Sequence, residues 1–288
     1  LGYSVLEEFS DTFPDRFLNV GVAEQNMVGV ATGLALSGKV VFVYSIGNFA
    51  TFRCLEQIRN DACYHKANVK IVAVGGGLGY GAQGYTHHAI EDIAVMRALP
   101  GIRIFAPGDP IETEFATRAI SKLGGPAYMR LGKAGEPNLH AEKVKLEVGK
   151  CVRLLDGNDA TIISTGNMLE ISLDVCKDLN NQGHSIGLCS MHTLKPTDKN
   201  FLNEESQRVK HIFTVEEHSQ IGGLADICST EIAQLDPLKG RIAALTAFNI
   251  KENFLDGPPG SQNYLRQRAG LDAETLKLNI TKTLNTKT

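Results

Sequence analysis

The 288-residue sequence contains no CxxC pair, no apolar run long enough to span a bilayer, no secretory signal and no marked excess of charge of one sign. Its six cysteines stand apart, which argues against a zinc knuckle or a redox motif, and most lie among apolar residues as buried thiols do. We therefore expect a cytoplasmic protein. A net charge of −3 gives no general attraction to nucleic acid or to an anionic membrane, so we expect neither as a partner.

Short apolar segments alternate with segments of helical periodicity along the chain, which is typical of α/β domains with doubly wound, mostly parallel sheets. The length and a hydrophobic content of 43% suit two such domains. We predict a first domain over residues 1–132, a polar linker over 133–147 and a second domain over 148–288. The sequence begins at Leu1 inside what reads as a domain, so we expect preceding residues, including a first strand, to be missing.

The periodicity predicts the individual elements. Strands are expected over residues 16–21, 40–46, 69–74, 102–106, 159–166, 185–191 and 211–218. Helices are expected over residues 23–38, 52–65, 90–99, 111–123, 168–181, 221–235 and 264–284.

Two polar positions of the first domain lie where chemistry is expected. Glu24 lies where a strand enters a helix, the edge at which open α/β sheets bind ligands. Taken alone, it is more often a first-turn carboxylate that complements the helix dipole. His87 and His88 lie between a glycine-rich turn and a helix, where a histidine can serve as acid, base or hydrogen-bond donor. A solvated or helix-capping histidine is an equally common reading.

A glycine-rich run and two aromatic residues complete the set. The run over residues 75–84 allows the backbone to approach a ligand closely, but no GKS or GKT follows, so it is not a P-loop. Alone, it reads equally well as a mobile surface loop. Phe49 and Phe52 follow the apolar strand VVFVYSI, where an aromatic ring can stack on a flat heterocycle or pack in the core.

Taken in order, these segments closely resemble the transketolase family. In the first half the resemblance lies in RFLNVGVAEQNMVGVATGLALSG, NFATFRCLEQIRND, GYTHHAIEDIAVMRALPGIRIFAPGDPIE and YMRLGK. In the second half it lies in TIISTGNMLEISLDV, HTLKPTD, FTVEEHSQIGGL and YLRQRAGLDAE. The matching segments cover nearly the whole chain and imply a pyrimidine-binding domain followed by a transketolase C-terminal domain.

The resemblance implies transfer of a two-carbon ketol unit from a ketose to an aldose with thiamine diphosphate. The residue matching Glu24 bonds N1′ of the aminopyrimidine and supports loss of the thiazolium C2 proton to the 4′-imino nitrogen. Phe49 matches an aromatic that packs on the pyrimidine, and Ile46 stands where many relatives have a second aromatic. Further cofactor contacts are expected from Gln25 and Phe52.

The same resemblance implies the substrate contacts. His87 matches the histidine of the family's G-x-T-H motif, which faces the substrate hydroxyls and can polarise or protonate a sugar oxygen. Arg130 and Lys133 lie where relatives place cations for a sugar phosphate, and Lys133 replaces the more usual arginine. Additional substrate contacts are expected from Ser4, Gln83 and His88.

The sequence departs from common transketolases in the loop before G-x-T-H. Gly75 falls near a family histidine, and Ala82 and Gln83 replace an acidic pair. Because those residues read the hydroxyls and phosphate of the donor, their loss indicates a sugar other than the ordinary pentose phosphates. Candidates are modified, branched or otherwise substituted sugars.

The family's diphosphate and metal motif, GDG followed by Asn, does not occur in the sequence. We therefore expect a partner subunit that carries this motif and binds Mg²⁺ or Ca²⁺, giving an α2β2 heterotetramer active only as a complex. No metal site is expected in this chain. Glu216, Glu217 and His218 resemble a ligand set, but relatives carry this segment as a structural feature. His192 reads as a strand-end residue, and the second domain is assigned to assembly.

Three other interpretations stay open. One is a subunit related to deoxyxylulose phosphate synthase, which condenses a pyruvate-derived unit with an aldose phosphate. Another is the β-subunit of a 2-oxo acid dehydrogenase, although THHAIEDIAVMRALPG fits the sugar enzymes better. The third is a non-catalytic regulatory or scaffold subunit that kept the fold.

Overall fold

The structure, a computed structural model, describes residues 5–141, 144–235, 242–252 and 257–285. These ranges form two α/β units, each built around a five-stranded sheet. The first unit contains α1 (Glu7–Thr12), α2 (Glu24–Leu36), β1 (Val41–Ile46), α3 (Gly47–Thr51), α4 (Leu55–Gln57), β2 (Val69–Val74), α5 (Asp92–Ala98), β3 (Arg103–Phe105), α6 (Pro110–Lys122) and β4 (Ala127–Arg130). The second contains β5 (Val152–Leu155), β6 (Ala160–Ser164), α7 (Leu169–Asn181), β7 (Ile186–Ser190), β8 (Thr193–Lys195), α8 (Lys199–Arg208), β9 (His211–Ser219), α9 (Leu224–Ile232), β10 (Ala244–Ile250), α10 (Gln262–Ala269) and α11 (Ala273–Asn285).

The two sheets are mostly parallel, as the alternation of strands and helices predicts. The first sheet has the order β1-β2-β4-β3-β8, and the second has the order β10-β9-β6-β7-β5. One edge strand in each is antiparallel: β8 pairs with β3, and β5 pairs with β7. The fold class is therefore confirmed, with an antiparallel edge added to each sheet.

Strand β8 joins the two halves, because it belongs to the second half of the chain but completes the first sheet. Lys195 of β8 pairs with Ile104 of β3, and the Lys195 ammonium donates to the carbonyls of Arg97 and Leu99 at 2.9 and 2.6 Å. Ile104 also shares a buried apolar cluster with Leu194. The described residues between β4 and β5 form neither helix nor strand, and the domain bounds themselves stay a prediction.

Helix α2 shows how the sequence builds the elements around the site. Its buried residues, Val28, Ala31, Thr32 and Ala35, recur at helical spacing and lie on one face. Strand β2 is buried at every residue, as its uninterrupted apolar sequence predicts. All six cysteines are free and five are buried, in line with the expected thiols. No helix within the described ranges is long and apolar enough to cross a membrane.

Three predicted elements differ from the structure. The strand expected over residues 16–21 is wrong: residues 17–20 have no regular structure, and Leu18 stays 65% exposed with no sheet to cover. The segment expected as one α-helix over 52–65 is helical but changes type along its length, from a 3-10 turn (Phe52–Cys54) through α4 to a π-helix (Ile58–Cys63). The tail is two helices, because Gly270 closes α10.

The sequence patterns also missed several elements. The strands β4, β5 and β8 have only three or four residues, too few to show a period, and α1 buries no residue and so shows no apolar stripe. The missed elements are α1, α3, α8, β4, β5, β8 and β10.

The pH dependence of stability should reflect Glu205, a buried carboxylate of α8. Burial opposes its ionisation, but hydrogen bonds from Arg208, Arg153 and Thr161 outweigh burial and lower its pKa from 4.5 to about 2. A depressed pKa stabilises the fold fully above pH 4.5, and this contribution is lost as the pH falls through about 2.

We therefore expect Glu205→Gln to lower the free energy of unfolding at pH 7 by about 1–3 kcal/mol. The difference from the wild type should shrink towards pH 3 in urea titrations. Glu204→Gln, a change at the exposed neighbouring residue, is the control and should have little effect. A deficit that stays constant across this pH range would contradict the assignment.

Candidate functional site

A cavity of about 500 Å³ opens beside the carboxyl end of the first sheet, where β1 passes into α3. This is the edge at which open α/β sheets bind ligands. The cavity is lined by Asn48, Phe49, Phe52, Arg53, Tyr85, Thr86, His88 and Glu91. It therefore combines aromatic faces with one cation and one carboxyl group.

Glu24 is the first residue of α2, and its side chain is 11% exposed. One Arg53 nitrogen, Nη1, lies 3.3 Å from each of its carboxylate oxygens. The Arg53 guanidinium carbon lies 3.8 Å from the centre of the Phe49 ring. A flat cationic group therefore stacks on an aromatic ring and meets a carboxylate with its edge.

His87 also contacts the Phe49 ring. The two rings are 5.1 Å apart and inclined at 63°. Nδ1 of His87 lies 3.0 Å from the Thr86 hydroxyl, and the Asn48 amide donates to the Thr86 carbonyl, which ties this loop to α3. Glu24, Phe49 and His87 are thus brought into one series of contacts: Arg53 joins Glu24 to Phe49, and Phe49 contacts His87.

His88 is buried, at 5% exposed. Its Nε2 lies 3.3 Å from the Gly81 carbonyl, and burial lowers its pKa, which favours the neutral ring. Tyr85 donates to Glu91 at 3.0 Å, and burial raises the pKa of Glu91. These residues supply neutral or weakly acidic groups to the wall of the cavity.

The other predicted contacts are scattered. Ile46 is buried at the end of β1 and does not line the cavity, whereas Phe52 does. Gln25 and Gln83 are exposed, on α2 and on the loop before His87. Ser4 lies outside the described residues.

Arg130 does not occupy the position expected for a phosphate ligand. It is 3% exposed; its Nε donates to Asp92 at 2.9 Å, and its Nη2 donates to the carbonyls of Ala89 and Glu217 at 2.8 Å each. The Arg130 guanidinium is held in the interior by these hydrogen bonds, because a buried charge is costly without its partners. The expected phosphate contact of Arg130 is therefore not supported. Lys133, by contrast, is exposed, with its ammonium 5.9 Å from the centre of the Tyr80 ring.

Gly75 stands against Tyr80. A Cβ at position 75 would lie 2.2 Å from two carbons of the Tyr80 ring, and the φ angle of Gly75 is +75°. The space that a larger residue would need is thus filled by an aromatic ring from the same loop. The family's histidine could stand at this position only if Tyr80 moved.

One compact set of potential metal ligands occurs within the described residues, away from the segment 216–218. Oxygen and nitrogen atoms of Asp109, Glu112 and His140 lie within 4.8 Å of one another. All three side chains make hydrogen bonds within the fold. Asp109 caps α6 and accepts from the Leu139 amide, and Glu112 Oε1 lies 2.7 Å from His140 Nε2. These bonds fix the segment after β4 to α6.

The segment 216–218 is likewise structural in its contacts. Glu216 accepts from the amides of Leu224 and Ala225 at the start of α9, and burial raises its pKa to about 7. Burial lowers the pKa of His218 to about 4. His192 is buried within the fold near the end of β7.

Sequence reasoning missed Asn48, Arg53, Tyr80, Tyr85 and Glu91. Arg53 gave no signal of its contact with Phe49, because the helix expected over residues 52–65 begins after Phe49 and so did not place the two side chains on one helix face. The others depend on a loop whose path the sequence does not reveal.

Comparisons with known proteins give a consistent result. Residues 3–135 match the family "Transketolase, pyrimidine binding domain", and residues 149–276 match "Transketolase, C-terminal domain". The chain is 35% identical to one subunit of the apulose-4-phosphate transketolase of Phocaeicola vulgatus, over 95% of this chain and 85% of that protein. It is 32% identical to the 6-deoxy-6-sulfo-D-fructose transketolase subunit SqwH of Clostridium sp. MSTE9, over 95% of this chain and 83% of that protein.

A solved structure is similar over the whole chain. It is described as a split gene transketolase in an inactive beta4 tetramer. It has a TM-score of 0.85 and 33% sequence identity, and the match covers 100% of this chain and 90% of that one.

The contact between Gly75 and Tyr80 can be tested by adding one methyl group. We expect Gly75→Ala to lower the free energy of unfolding by about 2–4 kcal/mol, from overlap with the ring and from the positive φ angle. Adding Tyr80→Ala should relieve the overlap, so the double variant should lose less stability than the sum of the losses of Gly75→Ala and Tyr80→Ala alone.

Chemical denaturation measures both variants. Gly124→Ala is the matched control, since a Cβ there meets no atom within 4 Å, and it should change stability little. Equal stability of Gly75→Ala and Gly124→Ala would show that the Tyr80 ring does not restrict position 75.

Proposed function

The chain belongs to the transketolase family, and we propose that it is the pyrimidine-binding subunit of a split enzyme that transfers a two-carbon ketol unit from a ketose to an aldose. The observation that carries this proposal is the arrangement of Glu24, Arg53 and Phe49. A carboxylate and an aromatic face are held on two sides of one flat, nitrogen-bearing group. An aminopyrimidine needs the same two contacts.

The residues therefore fit thiamine diphosphate, with the Arg53 guanidinium standing in for the pyrimidine. Phe49 would offer its face to the ring, and Glu24 would hold a proton towards N1′. When bound, thiamine diphosphate would supply a nucleophilic thiazolium C2 for reaction at the ketose carbonyl. This chain's part is to orient the pyrimidine and to keep the proton at N1′ in place.

His87 is the proposed proton carrier for the substrate. Its ring is in contact with Phe49 and with the Thr86 hydroxyl, so its place relative to the pyrimidine-binding residues is fixed. From there it can polarise or protonate a sugar oxygen. The exposed Lys133 is the proposed contact for an anionic group of the sugar, in place of the buried Arg130.

The proposed partner is a subunit that carries the diphosphate motif and binds Mg²⁺ or Ca²⁺. Apolar side chains stand exposed near α2 and along the edge strand β1, which supports an interface there. They include Leu18, Val22, Leu36 and Phe42, which are 65%, 75%, 59% and 42% exposed. The similar β-chain tetramer is described as inactive, which suits a subunit that works only with its partner, as in an α2β2 heterotetramer.

The proposed donor is a ketose phosphate or a modified ketose. Two similar proteins are named for apulose-4-phosphate and for a sulfonated fructose, both substituted sugars. The replacement of family residues by Gly75, Ala82 and Gln83 points in the same direction. Turnover of pyruvate plus an aldehyde, in place of a ketose, would favour the synthase-like alternative.

The catalytic role of Glu24 predicts a large loss on its removal. In the complex with the partner subunit, we expect Glu24→Ala to lower kcat for ketol transfer by about a hundredfold to ten-thousandfold. Glu114→Ala, at an exposed carboxylate of α6, is the control and should turn over normally. Full turnover of the Glu24→Ala complex would contradict catalysis and favour a scaffold.

Arg53 holds the place proposed for the pyrimidine and has to leave it. We therefore expect Arg53→Gln to tighten thiamine diphosphate binding by about twofold to tenfold, since the partly exposed ion pair and the stack on Phe49 no longer compete. Isothermal titration calorimetry of the complex measures this Kd. Arg59→Gln, an exposed arginine further along the chain, should leave it unchanged. Weaker binding would show that Arg53 assists the cofactor.

A further inference from the structure

The loop that carries His87 is closed at its neck. Gly77 and Ala89 exchange both backbone hydrogen bonds, at 2.8 and 3.0 Å, so residues 78–88 form a loop with adjoining ends. Inside the loop, the Gly81 carbonyl meets His88. The position of His87 therefore depends on where this neck is held.

The neck rests on the end of β9, a strand of the other half of the chain. The Leu78 amide, on the incoming side, donates to Glu217 Oε2 at 2.8 Å. The Ile90 carbonyl, on the outgoing side, accepts from the Ser219 amide at 2.6 Å. Two residues of one strand thus hold both sides of the neck.

The Glu217 carboxylate is fully buried and is itself held from several directions. Besides Leu78, it accepts from the Asn167 amide at 2.9 Å, from the Gln262 amide at 3.1 Å and from Arg266 Nε. All four groups are donors, so an ionised carboxylate satisfies each of them. The second half of the chain therefore sets the orientation of the Glu217 carboxylate, which accepts one further hydrogen bond from the loop.

The loop is shaped to receive this carboxylate. A Cβ at Gly77 would lie 2.2 Å from Glu217 Oε2, and the φ angle of Gly77 is +66°. The bare backbone at this position lets the side chain reach the Leu78 amide. Arg130 links the neck to β9 as well, since its Nη2 donates to the carbonyls of both Ala89 and Glu217.

We propose that Glu217 is a positioning residue that fixes the His87 loop to the second domain. This inference rests on the proposed function, because it takes His87 as the group that faces the substrate. It gives the C-terminal domain a role in catalysis beyond assembly. A small displacement of His87 should lower turnover strongly, while the pyrimidine contacts of Glu24 and Phe49, on other elements, stay in place.

The neighbouring glutamate provides a matched control. Glu216 is equally buried and lies on the same strand, but it accepts from Leu224 and Ala225 at α9 and makes no bond to the loop. Glutamine at 217 would place an amide donor against a ring of donors, one of them the Leu78 amide. The same change at 216 affects only the start of α9.

The test compares Glu217→Gln with Glu216→Gln in the complex with the partner subunit. We expect Glu217→Gln to lower kcat by about tenfold to a hundredfold. The Kd for thiamine diphosphate should stay within about twofold of the wild-type value, because a substitution distant from the pyrimidine contacts changes binding free energy little. Hydrogen exchange of the amides over residues 78–90 should become faster. Glu216→Gln should leave all three measurements unchanged.

Three results would overturn the proposal. These are an unchanged kcat, an unchanged exchange rate at the loop, or a parallel fall of kcat, cofactor affinity and unfolding temperature, which marks a merely structural role. If Glu217→Gln does not assemble, Glu217→Asp keeps the charge facing Arg266 but withdraws the oxygen from Leu78, and the same measurements decide. A wild-type complex without ketol transfer would refute the proposed function. Hydrogen exchange of the Leu78 amide in Glu217→Gln would still test whether Glu217 holds the loop.

Discussion

The arrangement of both halves depends on a buried set of charges around Arg130. The guanidinium binds the Asp92 carboxylate on α5, the Ala89 carbonyl at the neck of the loop and the Glu217 carbonyl on β9. Tyr128 adds its hydroxyl to Asp92 at 2.5 Å. Buried ion pairs contribute little net stability over an apolar core, but they tolerate few alternative arrangements. We therefore regard this network as the element that fixes how the halves meet.

This constraint explains why a cation expected at the substrate lies in the interior. MRLGK contains two basic residues three positions apart, and strand geometry sends them to different environments: Arg130 ends β4, whereas Lys133 lies beyond it in an irregular segment. The first is needed for the network and is covered on all sides. The second has no such partner set and stays at the surface, where it can meet a ligand.

Much of the fold could be predicted from local patterns, and so could part of the site. The apolar run of β1 and the helical spacing of α2 are local signals, so β1, α2 and the position of Glu24 in the first turn of α2 followed from the sequence, whereas the strand expected before Glu24 was wrong. The stacking of Arg53 on Phe49 and the pairing of β8 with the first sheet could not be predicted in this way. Both depend on contacts that form only after the chain has folded, between residues whose local sequence carries no sign of them.

The site offers contacts for a ring and for a polar group. It holds a carboxylate, an aromatic face and a histidine in one connected set, which suits a flat heterocycle and a polar substrate. Within the described residues, the compact acidic set at Asp109 is already committed to hydrogen bonds, and the basic Arg130 is buried, so neither supplies a place for a diphosphate and its metal. Under the proposed function, a cofactor that carries both a heterocycle and a diphosphate would take its diphosphate contacts from a second surface, which we propose the partner subunit supplies. The apolar residues exposed beside α2 are where such a surface would dock, so that the cofactor would bridge two chains and neither chain alone would complete the site.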